Sequence, residues 1–474
     1  MAAVAALAIG LAAPAAAAPA NPGRHTIGPP AVNPALLPVD PRPVPPEPTE
    51  QRAECARPRL SRSDQREPPR AQQILDLPAA WRYSQGAGQK VAVIDTGVNR
   101  HPRLHAVQPG GDFVGGADGT ADCDGHGTLV AGIIASAPSP DDGFAGVAPE
   151  ATILAVRQLS LAYEPKDRRR GPDPAAVTPT GTGTVHTLAA AVVHTVNLGA
   201  TVVNISQVAC ATAGLGLPDG ALGAAVKYAY DRNVVVVAAA GNVTQTGPCA
   251  ERNTGSGWRA VRTVVSPAWY SRYVLTVASV DSDGAPSELS MPGPWVSVAA
   301  PGRSIVSLDS APGGSGLVDS VQTRDGSGPI EGTSFATAFV SGLAALVRAR
   351  FPALTAQQVM DRITRTAHSP GTGRDDQVGH GLVDPVAALT AELPDRPTVA
   401  DRSRAIPAPP PPPAIDPTPR RVATAGSIAC LLLLALGAAA ATPLRHSRLS
   451  SRTTRDVRPR QLTGRSGQRR SGGA

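Results

Sequence analysis

Cysteine is scarce in this chain: five residues in 474, with no Cys-x-x-Cys pair among them. A chain of this length with so few cysteines is not a small disulfide-knitted peptide. A zinc site is not expected, because Cys123 and His126 would need two further ligands. Charged residues make up only 17% and aromatics 3%, and no internal repeat is found. What is abundant is apolar and turn-forming. Hydrophobic residues reach 42%, enough for a sizeable core, while Gly 48 and Pro 49 together exceed a fifth of the chain. That composition implies many turns and some stretches outside any domain.

The formal net charge of +7 invites a nucleic-acid reading, which requires basic residues clustered on a folded surface. They are clustered elsewhere. Between Pro443 and Ala474 lie nine arginines against Asp456 alone, so this tail carries +8 and the other 442 residues carry −1. No nucleic-acid partner is expected. Directly before the tail, Val422 to Thr442 is uncharged and centred on Leu431 to Leu434. As a helix it would be about 31 Å long, enough to cross a bilayer. Only Arg420 and Arg421 lie close on its other side, so the positive-inside rule places the C-terminus in the cytoplasm and everything upstream outside. Residues 1–20 are an Ala-rich apolar run ending Ala18-Pro19-Ala20, which fits a signal peptide, although a basic start is missing. An uncleaved anchor would leave the domain on the same side.

Residues 21–70 are rich in Pro and Arg and show neither helical nor strand periodicity, so they read as an extended arm. From 71 to 393 the pattern changes. Short Val/Ile/Ala runs at 90–95, 152–156, 201–205, 234–240, 274–278 and 296–299 alternate with helical patterns at 127–136, 185–198, 221–232, 334–350 and 356–366. Buried strands alternating with helices predict an α/β domain, a parallel sheet covered by helices. Residues 394–421, with ten prolines, read as a stiff linker to the span.

In such sheets reactive groups gather beyond the carboxyl ends of the strands. Four places answer: Asp95 closes one apolar run, His126 opens a helix, Asn242 follows another run, and Ser334 opens a helix that is apolar on nearly all sides. A serine hydroxyl is a weak nucleophile at neutral pH. It needs a base, and the base needs a carboxylate to fix its tautomer. Ser334, His126 and Asp95 can take these roles. The Ser334 N–H and the Asn242 side chain can form the oxyanion hole, and no metal or cofactor is required.

The local wording around these residues resembles the subtilisin-like serine proteases over about residues 71–389. It reads Asp-Thr-Gly at 95–97, His-Gly-Thr at 126–128, Ala-Ala-Gly-Asn at 239–242 and Gly-Thr-Ser-Phe-Ala-Thr at 332–337. Ala-Pro-Gly at 300–302 and Gly-His-Gly-Leu-Val-Asp at 379–384 belong to the same pattern. Signal, arm, protease-like domain, Pro-rich linker, one span and a basic tail together resemble the mycosins, membrane-anchored proteases of actinobacterial type VII secretion systems. The resemblance implies a subtilisin-like fold and a cell-membrane serine endopeptidase acting on protein or peptide substrates, associated with a secretion membrane complex. Two other roles fit: a structural component with secondary proteolysis, or a general surface scavenger. It also implies a substrate cleft bordered by Ser206, Val208, Ala239 and Gly241. Val208 stands where the family usually has Gly, which would narrow the site for the residue before the scissile bond and implies either small side chains there or low general activity.

Four cysteines outside the span permit three pairings. The local choice joins Cys210 to Cys249 and leaves Cys55 for Cys123, with Cys430 inside the span left over. Cys55–Cys123 would lash the arm to the domain as a belt. The stretch 164–183, with Lys166 and Arg168 to Arg170, reads as a long surface loop. Asp118, Asp122 and Asp124 are assigned to caps and turns over a calcium loop, because the EF-hand register is missing. Trp258, Trp269, Tyr270 and Tyr273 are expected near the cleft, and His186 and His194 in surface or packing roles.

Overall fold

In the computed structural model the described residues are 27–61, 66–167, 175–177, 181–323, 326–393 and 418–446. The signal segment, Arg168 to Arg170, the linker up to residue 417 and the tail from residue 447 lie outside them.

Seven parallel strands form the central sheet: β1 (Lys90–Asp95), β2 (Val107–Asp112), β3 (Thr152–Arg157), β4 (Val202–Ile205), β5 (Val235–Ala239), β6 (Val274–Val280) and β7 (Val298–Pro301). Their spatial order is β7-β6-β5-β4-β1-β3-β2, so β1 lies inside, with Val93 opposite Ala155 on one side and Asn204 on the other. After two short helices at Arg70–Gln73 and Leu77–Ala80, the α-helices of the described domain are α1 (His126–Ala135), α2 (Val185–Asn197), α3 (Gly220–Asp231), α4 (Thr333–Arg350), α5 (Ala356–Thr366) and α6 (Pro385–Thr390). The run expected at 296–299 begins two residues later, because residues 293–296 close a turn through Val296 N–H to Gly293 C=O at 3.0 Å.

Alternation along β1 shows why the sheet is covered on both faces. Val91 and Val93 enter one core with Ile133, Ile134 and the apolar residues of α4, whereas Ala92 and Ile94 enter a second core with Leu188, Val192 and Val226 of α2 and α3. Full burial of each Ile or Leu stabilises by about 1.5–3 kcal/mol. From Thr333 to Val347 every residue of α4 is buried, as its all-round apolar sequence predicts. Gly342 lets it approach Val147, whose Cβ would lie only 2.5 Å from a Cβ at that position.

The arm is extended where it pairs with the domain, although its sequence shows no strand periodicity. Thr49–Gln51 pairs antiparallel with Tyr163–Pro165, so the expected loop at 164–183 begins as a strand, and Ala175 in it is buried. Arg57–Leu60 pairs antiparallel with β8 (Leu317–Thr323), which also pairs with β9 (Gly326–Pro329). These arm strands take their hydrogen bonds from distant partners, so no periodicity of their own is needed. Both disulfides are formed, Cys55–Cys123 and Cys210–Cys249.

The packed domain ends at Leu393. Separately, α7 (Thr418–His446) contains the uncharged stretch 422–442 and the free Cys430, with Leu431 to Leu434 exposed. Its length and composition are sufficient to cross a membrane.

Candidate active site

Asp95 ends β1 and is 1% exposed. The chain must turn sharply after it, and Gly97 does so at φ +103°, where a Cβ would meet Ala121 C=O at 2.2 Å. Asp95 Oδ1 accepts from Thr96 N–H at 2.8 Å and lies 2.7 Å from His126 Nδ1. That contact places the imidazole proton on Nδ1 and leaves the Nε2 lone pair as a base. His126 opens α1 after Gly125, which is left-handed at φ +77°.

Two more carboxylates surround this pair. Asp122 is buried and accepts four bonds: from Thr96 Oγ1 (2.8 Å), Gly125 N–H (2.7 Å), Thr128 N–H (2.9 Å) and Thr128 Oγ1 (2.7 Å). Burial pushes its pKa up to about 6 against these donors. Asp124 accepts from Ser160 Oγ at 2.5 Å and Leu161 N–H at 2.8 Å, and burial raises its pKa too. Burial alone would lower the pKa of His126, but the charge and hydrogen bond of Asp95, then the charges of Asp122 and Asp124, outweigh it and raise it. The three clustered acids around His126 therefore serve turns, a helix start and electrostatics. Asp118 caps its own turn at Thr120 N–H.

Ser334 is the second residue of α4 and is 8% exposed, following Gly332 at φ +150°. Asn242 Oδ1 accepts from Thr333 N–H (3.0 Å) and Thr333 Oγ1 (2.9 Å). Because the oxygen is engaged by two donors, Nδ2 is the end of the amide left to face Gly332, whose added Cβ it would meet at 3.2 Å. Asp95, His126, Ser334 and Asn242 all line one cleft of about 690 Å³.

Of the other residues expected at the cleft, Ser206 lines it. Val208, Ala239 and Gly241 do not: Ala239 is fully buried inside β5, Val208 is half-buried, and a Cβ on Gly241 would be 3.3 Å from Val208 Cγ2. The aromatic residues expected there are elsewhere. Trp269 Nε1 and Tyr270 OH donate to the Asp219 carboxylate, Trp258 stacks at 5.6 Å on Trp295, and Tyr273 meets Tyr230 at 5.4 Å. Tyr270 is buried, the other three are half-buried against the core, and none lines the cleft. His194 packs edge-on against Phe113.

Three walls escaped the sequence. Ala53, Glu54 and Ala56 of the arm, the strand β9 with Glu331, and Gln207 all line the cleft. The arm reaches it because Ala162 C=O accepts from Arg52 and Ala53 N–H (2.8 and 3.1 Å) and Cys123 C=O from Ala56 N–H (2.8 Å). The Cys55 to Cys123 pairing was the available signal for that placement.

A seven-stranded parallel sheet with a carboxylate–imidazole pair at one strand end and a serine at the start of a central helix defines the subtilisin class of α/β proteins. Residues 86–381 match the Peptidase S8 model, described as the subtilase family. The chain belongs to the subtilase family and, within it, to the mycosins. It is 47% identical over 436 residues to Mycosin-4 of Mycobacterium tuberculosis, covering 90% of this chain and 93% of that one. A crystal structure of MycP1 from Mycobacterium smegmatis superposes with TM-score 0.72 at 46% identity, covering 78% of this chain and 97% of the other. The chain is also similar, at 42% identity and TM-score 0.74, to a chain in the structure of an intact ESX-5 inner membrane complex, over 88% of this chain and all of that one.

Proposed function

We propose that this mycosin is a serine endopeptidase tethered by residues 422–442 to the cytoplasmic membrane, with its peptidase domain outside and its basic C-terminal tail in the cytoplasm. The observation that carries the chemistry is the single cleft shared by the Asp95–His126 pair, Ser334 and Asn242. His126 Nε2 takes the Ser334 Oγ proton as Oγ attacks the substrate carbonyl carbon. The Ser334 N–H and Asn242 Nδ2 receive the developing oxyanion, worth about 2.7–4 kcal/mol per side-chain donor in comparable sites. His126 then gives the proton to the leaving amine. Water, activated by the same imidazole, releases the acyl group, while Asp95 stabilises the imidazolium throughout.

The similarity to a chain of an ESX-5 inner membrane complex supports work at a type VII secretion complex, with both processing of secreted substrates and stabilisation of the complex. A Ser334→Ala variant separates the two. Secretion that persists while the substrate stays uncut assigns the essential part to scaffolding, and secretion that stops while the complex assembles assigns it to catalysis. Broad cleavage of casein by the purified protein would favour a scavenging protease and count against selective processing.

A further inference from the structure

β9 (Gly326–Pro329) is paired on one edge, antiparallel to β8, with Val321 opposite Gly328 and Gln322 opposite Ser327. The far edge of β8 is already taken by Arg57–Leu60 of the arm, so β9 is the outermost strand of this small sheet. All four of its residues are exposed, and all four line the same cleft as His126 and Ser334. Edge strands are ordinarily blunted by charges or bulges. The residues of β9 are Gly, Ser, Gly and Pro, with no charge, and its pairing with β8 runs without a register shift.

Two details show which way this edge points. Ile330 N–H donates to Asp319 C=O at 3.0 Å, so Ile330 faces the β8 side and Pro329, which has no N–H to offer, faces away. The alternation of an antiparallel ladder then turns Gly328 toward β8 and the N–H and C=O of Ser327 outward. Gly328 is not required by packing: no heavy atom lies within 4 Å of a Cβ built there, and its φ is not positive. Internal packing thus leaves this position open to almost any residue. Glycine there keeps the main chain accessible from the cleft.

We propose that β9 is a docking rail, on which a polypeptide substrate lays an extended segment beyond the reacting residue, adding a strand to the β8–β9 sheet through main-chain hydrogen bonds. Ser327 supplies the outward donor and acceptor, and Glu331 and Gly332 lead directly from the rail to Ser334. Recognition of this kind reads conformation more than side chains and selects an unfolded or linker segment of a protein. The inference rests on the proteolytic reading above.

The test uses the full-length protein in detergent and a peptide series sharing one cleavable bond, lengthened stepwise on each side of it. The readout is the ratio of kcat/KM for the longest to the shortest peptide, so that any general loss of activity cancels. Wild type is expected to gain about tenfold on lengthening toward the rail, the value of one or two well-made hydrogen bonds. Ser327→Pro, which removes the outward N–H, and Gly328→Val, which fills the open space, bring the ratio close to one. Ser327→Ala, which keeps the main chain, retains the wild-type ratio. No gain in wild type, an unchanged ratio in both disruptive variants, or its loss in Ser327→Ala overturns the rail. Failure of wild type to cut any peptide, or of Ser334 to react with a small serine-acylating reagent, instead overturns the proteolytic reading.

Discussion

Thr96 Oγ1 donates to Asp122 Oδ1 at 2.8 Å and at the same time accepts from Gly127 N–H at 2.9 Å. The residue after Asp95 is thereby tied to the residue after His126, with Asp122 as the knot. Every group facing the Asp122 carboxylate is a donor, which suits the ionised form. In Asp122→Asn one amide nitrogen must confront those donors, so the strand end and helix start shift relative to each other. kcat is expected to fall roughly ten- to a hundredfold with a smaller change in KM, read from steady-state peptide hydrolysis. A change confined to KM would assign Asp122 to substrate binding and remove its positioning role.

Activity and stability are expected to move in opposite directions with pH. The pKa of His126 lies above its ordinary 6.5, burial being outweighed by Asp95, Asp122 and Asp124. As the base it must be neutral, so kcat/KM falls as pH drops through this raised value. The extra stability from His126 in its charged form is full below 6.5 and is lost as pH rises through the raised value. Melting temperatures across this window, compared with those of His126→Ala, check the sign: the variant should lose that part of the pH dependence. In Asp122→Asn the acid limb of the rate profile should shift to lower pH, since a negative charge has gone.

Gly342→Ala tests the central helix. Alanine for glycine in a helix interior ordinarily stabilises by about 1 kcal/mol. Here the new Cβ would meet the Val147 Cβ at 2.5 Å in a fully packed core, and overpacking of that kind costs about 1–3 kcal/mol. The clash should win, lowering the denaturation midpoint, and adding Val147→Ala should recover part of the loss.

Val208 stands where the family usually has Gly, and that resemblance, not the lining of the cleft, carries the expectation that this wall restricts the residue before the scissile bond. Val208→Gly is expected to raise kcat/KM for a peptide with Phe at that place relative to one with Ala by about tenfold. Equal ratios in the two proteins would show that this wall does not set the selectivity.

Much of the fold was legible because buried strands and helices write their periods locally: all six expected apolar runs fall within two residues of β1, β3, β4, β5, β6 and β7. The places of Asp95, His126, Asn242 and Ser334 were readable for a related reason, each lying where an apolar run ends or a helix starts. The arm strands were not readable, being three or four residues long, with the partner of Arg57–Leu60 more than 250 residues away. Asp122 was not readable as a knot because its spacing from His126 is equally that of a capped turn. Only burial separates the two. The aromatic residues were misplaced because a Trp or Tyr with a polar tip suits a cleft rim and a satisfied core alike.

Ala53, Glu54 and Ala56 line the cleft on either side of Cys55, so the bond to Cys123 lies within a wall of the substrate groove. Oxidation therefore adds a covalent tie to a wall that main-chain pairing of the arm already holds. Before the thiols pair, that wall is held by main-chain hydrogen bonds alone. Measurements of selectivity on this protein belong alongside a record of the oxidation state of that bond.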